Sequence, residues 1–182
     1  MAYGKARKQR PPLDEERLNA LALAYVGRFA TTRAKLGSYL DRKIRERGWA
    51  GERPVEIERA VERLAELGYV DDAAFALAKS RSLTARGYGE RRVRQSLRAA
   101  GIGEEDAEPA HDLAKEEAVD AALRFAKRRR IGPFGDRSFD RDQREKALAA
   151  MIRAGHSLSL AKAIVSLEPG TNVSIEMLAE KA

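Results

Sequence analysis

Apolar residues recur along most of this chain at spacings of three and four, the signature of one buried face on an α-helix. Leu36, Leu40 and Ile44 form such a stripe and stop at Gly48–Trp49. Val93 and Leu97 stop at Gly101–Ile102, and Ala147 and Met151 stop at Gly155–His156. These glycines stand 53 and then 54 residues apart. Each is expected to be a helix end with glycine in a left-handed conformation, sealed by the apolar or ring residue behind it. A new helix start follows each stop: Pro54, then Glu104–Glu105, then Ser157 or Ser159. Three copies of one spacing define an internal repeat.

The other helices fall around these three. Asp14 is the expected N-cap of a helix from Glu15 to Phe29, with Leu18, Leu21, Ala22, Tyr25, Val26 and Phe29 on one stripe. Thr31 or Thr32 caps the next. Pro54 suits the first turn of a helix running to Leu67, with Gly68 as its stop. Asp71–Asp72 cap a helix from Ala73 to Arg86 that ends at Gly87. A long helix is expected from about 110 to 130, and a last one from about Ser159 to Leu167. Between them, Ile131–Arg141 reads as a loop pinned by Phe134 and Phe139.

The fold class is therefore all-α, three tandem three-helix repeats forming an elongated, curved array. The divisions are a flexible basic N-terminal tail (1–12), repeat 1 (13–70), repeat 2 (71–113), repeat 3 (114–168) and a flexible C-terminal tail (169–182). A three-helix unit of about 50 residues buries little surface alone, and stacking on neighbours extends its core.

Charge narrows the partners. The chain has 35 Lys and Arg against 28 Asp and Glu, a formal net charge of +7. Nucleic acid, an anionic surface or an acidic protein would suit it. From Lys79 to Arg98 seven basic residues meet only Glu90, while residues 104–120 carry eight acids against Lys115. On the middle helix of repeat 2, Arg91, Arg94 and Arg98 share a face opposite Val93 and Leu97. Arginine rather than lysine dominates there, which favours bidentate contact with phosphate or carboxylate. Only Tyr88 lies near as a stacking aromatic, so backbone-type DNA contact or an acidic protein groove fits better than base reading.

Catalytic chemistry is missing from the pattern. Cysteine is absent, so there is no disulfide, thiol nucleophile or thiolate metal site. His156 occupies the position of Trp49 and Ile102 after its glycine, as a cap-packing residue would, and His111 stands 45 residues away. Gly87-Tyr-Gly89 is too short for a phosphate loop and follows a helix. We expect no enzyme activity, no metal and no cofactor. No apolar run approaches the ~20 residues that span a bilayer, and no signal peptide opens the chain. A cytoplasmic monomer is the expectation.

Two segments carry a family resemblance. Leu64-Ala-Glu-Leu-Gly-Tyr-Val-Asp-Asp-Ala-Ala-Phe-Ala76 resembles the signature of the RecX regulatory family, and Arg86-Gly-Tyr-Gly-Glu-Arg-Arg-Val-Arg-Gln-Ser-Leu-Arg-Ala-Ala-Gly-Ile102 follows at the family's spacing. Thr32-Arg-Ala-Lys-Leu36 leading to Gly48 also fits, and coverage runs from about Leu18 to Leu167. The resemblance implies a protein that binds the RecA recombinase, lying in the groove of the RecA–DNA filament or blocking its extension. It would damp ATP hydrolysis, strand exchange and the co-protease activity of the SOS response. Pro109 departs from the pattern and predicts a short, displaced or broken third helix in repeat 2.

On this reading Arg86, Arg91, Arg92, Arg94 and Arg98 form the partner face, with Lys127, Arg128, Arg129 and Arg130 as a second choice. Tyr69, Asp71, Asp72 and Phe75 are expected to hold repeats 1 and 2 together, with Gly68, Gly87, Tyr88 and Gly101 shaping the turns. Single- or double-stranded DNA is a possible further partner. The rival readings are a free-standing, non-specific DNA-binding helical protein and a scaffold that binds only proteins.

Overall fold

The structure, a computed structural model, describes residues 10–181, so most of the expected basic N-terminal tail lies outside the described residues. Among these residues the chain is helical, with one isolated bridge between Leu13 and Trp49 and no strand. It divides into two compact units, the first ending at Asp71 and the second beginning at Asp72.

The first unit holds α1 (Glu15–Val26), α2 (Arg33–Arg47) and α3 (Ile57–Glu66). Asp14 caps α1 by accepting from the Arg17 N–H, and Thr32 caps α2 by accepting from Lys35. Leu13, Leu18, Leu36, Leu40, Val61 and Leu64 meet in the core. Leu13 is fully buried because its N–H and C=O bond Gly48 O and Ala50 N at 2.9 and 2.7 Å. That pairing explains why Gly48 is not the left-handed cap expected. Its φ of 82° carries a ψ of 166°, which sends the chain out extended along Leu13. Pro54 likewise lies before α3 rather than in its first turn, and α1 stops at Val26, short of Phe29.

The second unit contains α4 (Asp72–Ala85), α5 (Glu90–Ala99), α6 (Glu104–Glu116), α7 (Ala118–Arg129), a 3₁₀ turn (Gly132–Phe134), α8 (Arg141–Arg153), α9 (Leu158–Val165) and α10 (Ile175–Ala179). It has two cores. In the first, Ala107, Ala110 and Ala114 of α6 face Ala76 and Leu83 of α4, and Ser80 Oγ donates to Ala110 O at 2.8 Å. In the second, Phe125, Ile131, Met151, Leu160, Ile164 and Leu178 pack together.

Three expectations are corrected here. Pro109 sits inside an unbroken α6. It and Glu105, whose carbonyl loses its helical partner, are both exposed, so that carbonyl is open to solvent while the alanine face stays packed. The long helix from 110 to 130 is two helices meeting at Glu117, which lets α6 and α7 turn their apolar faces into different cores. The C-terminal tail is in part α10, with Leu178 fully buried and Lys181 O accepting from Ser157 and Ser159 Oγ.

Helix ends repeat one closure. At α5 the Gly101 N–H bonds Arg98 O and the Ile102 N–H bonds Leu97 O, at 2.9 and 3.2 Å. The same pair of bonds closes α3 at Gly68–Tyr69, α4 at Gly87–Tyr88 and α8 at Gly155–His156. It also closes α7 at Arg130–Ile131, where Arg130 takes the left-handed place without being glycine (φ 53°).

Candidate functional site

Two of these ends meet. Gly89 N–H donates to Ala154 O at 3.0 Å and Arg91 N–H to Gly155 O at 3.2 Å, docking the start of α5 on the end of α8. Contact is backbone to backbone: a Cβ on Gly155 would lie 2.5 Å from Arg92 N, and one on Gly89 would lie 2.5 Å from Gly155 C. His156, 2% exposed, seals the junction. Its Nε2–H donates to Gly87 O at 3.2 Å and its ring meets Phe125 edge-on at 5.6 Å. Burial pushes its pKa down from 6.5 to about 4, so the ring is neutral near pH 7. It is a packing residue.

Around this junction the basic side chains gather. Arg92 and Gln95 of α5 line two adjoining hollows. One, of about 420 Å³, is completed by Lys79 and Arg86 over Leu83 and Tyr88. The other is completed by Arg91 and Arg153, with Ile152 and Gly155 at its floor. Among the described residues no carboxylate lies within 4 Å of Lys79, Arg86, Arg91, Arg92 or Arg153. Arg92 bonds the Gln95 carbonyl at 3.0 Å, and Arg86 lies 5.4 Å over the Tyr88 ring. Five cations around a concave surface, without counter-ions among the described residues, suit phosphates or carboxylates.

Arg94 and Arg98 do not join this hollow. Although they share a helix face with Arg91, Arg94 pairs with Glu90 at 2.8 Å and Arg98 with Glu104 at 3.3 Å. The run at the end of α7 divides too. Arg128 donates to Arg86 O at 2.6 Å, stabilising the α4 C-terminus and lying 5.4 Å over Phe125. Arg129 also lies over Phe125, Arg130 pairs with Asp136 at 2.9 Å, and Lys127 is exposed. Lys79 and Arg153 belong to the hollow but stand outside the sequence-derived partner face. Lys79 could be found from its place about two helix turns before Arg86, whereas Arg153 depends on the α5–α8 docking.

The residues expected to shape the turns lie as follows. Gly68, Gly87 and Gly101 all have positive φ, and Tyr88 is half-buried between the two cores of the second unit. Asp72 is buried in the first turn of α4 with Phe75 packed beside it, Asp71 is exposed, and Tyr69 leaves 55% of its surface open. No group of three or more His, Cys, Asp or Glu able to hold a metal occurs among the described residues. Nor is any described helix long and apolar enough to cross a membrane.

Residues 71–110 match the family model for the second three-helix domain of RecX. The chain is 34% identical over 163 residues to the regulatory protein RecX of Myxococcus xanthus, covering 84% of this chain and 86% of that one. Regulatory protein RecX of Thermobifida fusca is 34% identical over 155 residues, covering 84% and 78%. The crystal structure of RecX from Lactobacillus salivarius superposes with a TM-score of 0.59 at 20% identity, over 82% of this chain and 93% of that one. The matched domain contains Lys79, Arg86, Arg91 and Arg92, while Arg153 lies beyond it.

Proposed function

This chain belongs to the RecX family of regulatory proteins, and from that membership we propose that it binds the RecA–DNA filament and restrains it. Restraint means lower RecA ATP hydrolysis, strand exchange and co-protease activity, and so negative regulation of recombination and the SOS response. The observation that carries the reading is the concave cluster of Lys79, Arg86, Arg91, Arg92 and Arg153, none of which pairs with a carboxylate among the described residues. Such a cluster suits an external acid.

Co-sedimentation with RecA filaments on single-stranded DNA tests it. Changing Lys79, Arg86 and Arg92 together to Ala should weaken binding by about a thousandfold, since contacts to charged groups contribute about 1.5–3 kcal/mol each and about 1.4 kcal/mol is tenfold. The Arg94→Ala/Arg98→Ala pair should bind within about threefold of the parent, as both lose only exposed internal pairs worth less than about 1 kcal/mol. Equal losses in the two variants would remove the hollow from the account.

Free DNA is the second reading, favoured by guanidinium groups that suit phosphate oxygens. It requires binding to naked DNA that falls linearly, on logarithmic axes, with salt.

A further inference from the structure

The first unit carries an aromatic surface of its own. Phe29, Tyr25 and Tyr39 stand in a row: Phe29 and Tyr25 centroids are 5.3 Å apart, and Tyr25 stacks on Tyr39 at 4.2 Å with 20° between planes. α1 and α2 supply the tyrosines, and Phe29 follows the end of α1. The tyrosines rest their inner edges on the first core, while Phe29 leaves 57% of its surface in solvent.

Cations flank the row at both ends. The Arg42 guanidinium and the Lys43 ammonium lie 5.7 and 5.8 Å from the Tyr39 ring centre. Both share one carboxylate, Glu46, so that end keeps a net positive charge. Arg28, beside Phe29, is exposed and has no carboxylate among the described residues within 4 Å.

We propose that this row is a stacking platform for single-stranded nucleic acid, with a base on the exposed Phe29 ring and phosphates at Arg28, Arg42 and Lys43. Three reasons select that ligand. Tyr25 and Tyr39 stack on each other, whereas the Phe29 ring, left in water at the end of the row, gains most from another π-face, and every base offers one. Flanking cations match a polyanion whose charges lie outside its bases. A duplex keeps its base faces stacked inside, so it cannot use the rings. An apolar protein segment would leave those cations unmatched. The platform belongs to the first unit and the hollow to the second, so each can be varied by its own substitutions and the platform does not depend on the filament reading.

The test is fluorescence anisotropy of a labelled oligo(dT) and of a duplex of equal length, with the full chain. The Arg86→Ala/Arg92→Ala background silences the other basic surface. Phe29→Ala should weaken oligo(dT) binding about tenfold, from about 1–3 kcal/mol per stacked base, and leave the duplex unchanged. Phe29→Leu, which keeps bulk and hydrophobicity but not the π-face, should do the same. Arg28→Ala/Arg42→Ala should flatten the salt dependence of oligo(dT) binding. Rescue by Leu, equal losses on duplex and single strand, or unchanged oligo(dT) affinity in a folded Phe29→Ala protein would each overturn the proposal. So would a Phe29→Ala protein that holds oligo(dT) normally but loses the RecA filament, which would make the rings a protein-docking surface.

Discussion

Gly101 holds φ at 73° where α5 ends, and a β-branched residue resists that conformation. Gly101→Val should therefore lower stability by about 1–3 kcal/mol, read as a fall in thermal midpoint. An unaltered midpoint would refute the capping role. Arg130 is the converse case, an ordinary side chain in the left-handed region (φ 53°). Arg130→Gly relieves about 1–2 kcal/mol of strain but adds freedom to the unfolded chain, so the expected gain is small, about 2 °C in midpoint. His156 supplies a pH signature. Its folded pKa lies below its unfolded value, so the unfolded chain takes up the proton first. Stability is full above about pH 6.5 and falls as pH drops towards 4, by an amount on the order of 3 kcal/mol. His156→Leu should flatten the difference between pH 7.5 and pH 5 in urea unfolding; an equally steep loss would place the acid sensitivity elsewhere.

At the scale of elements, sequence pattern served well where the signal was local. Asp14, Thr32 and Ser157 cap the helices they precede, and the Gly101 and Gly155 stops close as their spacing implies. It failed where tertiary packing decides. Nothing in the residues around Glu117 announces a break, because the break exists to serve two different cores. Ser174 before Ile175 and Leu178 was a legible cap for α10, hidden by its shortness. On α5, a shared face for Arg91, Arg94 and Arg98 was sound helical geometry. The acids that divide that face were only partly visible: Glu90 sits one turn before Arg94, whereas Glu104 reaches Arg98 across the Gly101 turn. Pro109 gives α6 a measurable cost. Pro109→Ala should raise unfolding stability by up to about 3 kcal/mol with an unchanged helical content, since the site is exposed. A loss of stability would mean that the proline shapes the packing on α4.

For the whole molecule, the repeat itself was legible from three glycine stops, and with it the all-α class. The two proposed partner surfaces were legible only in part: Arg86, Arg91 and Arg92 stand out in the sequence, whereas Arg153 and the aromatic row do not. The basic hollow needs α8 docked on α5 to bring Arg153 beside Arg92, and the aromatic row needs α1 beside α2 to bring Tyr25 onto Tyr39. Both are contacts between residues distant in sequence. A chain carrying two such surfaces would hold a nucleoprotein filament by several weak contacts acting together through effective concentration. Restraint of that filament is tested most directly by RecA ATP hydrolysis on single-stranded DNA, with this protein added well below the RecA concentration. Inhibition is expected at less than one chain per RecA, and it should be lost in the Lys79→Ala/Arg86→Ala/Arg92→Ala variant. Undiminished hydrolysis with an excess of folded protein would contradict it.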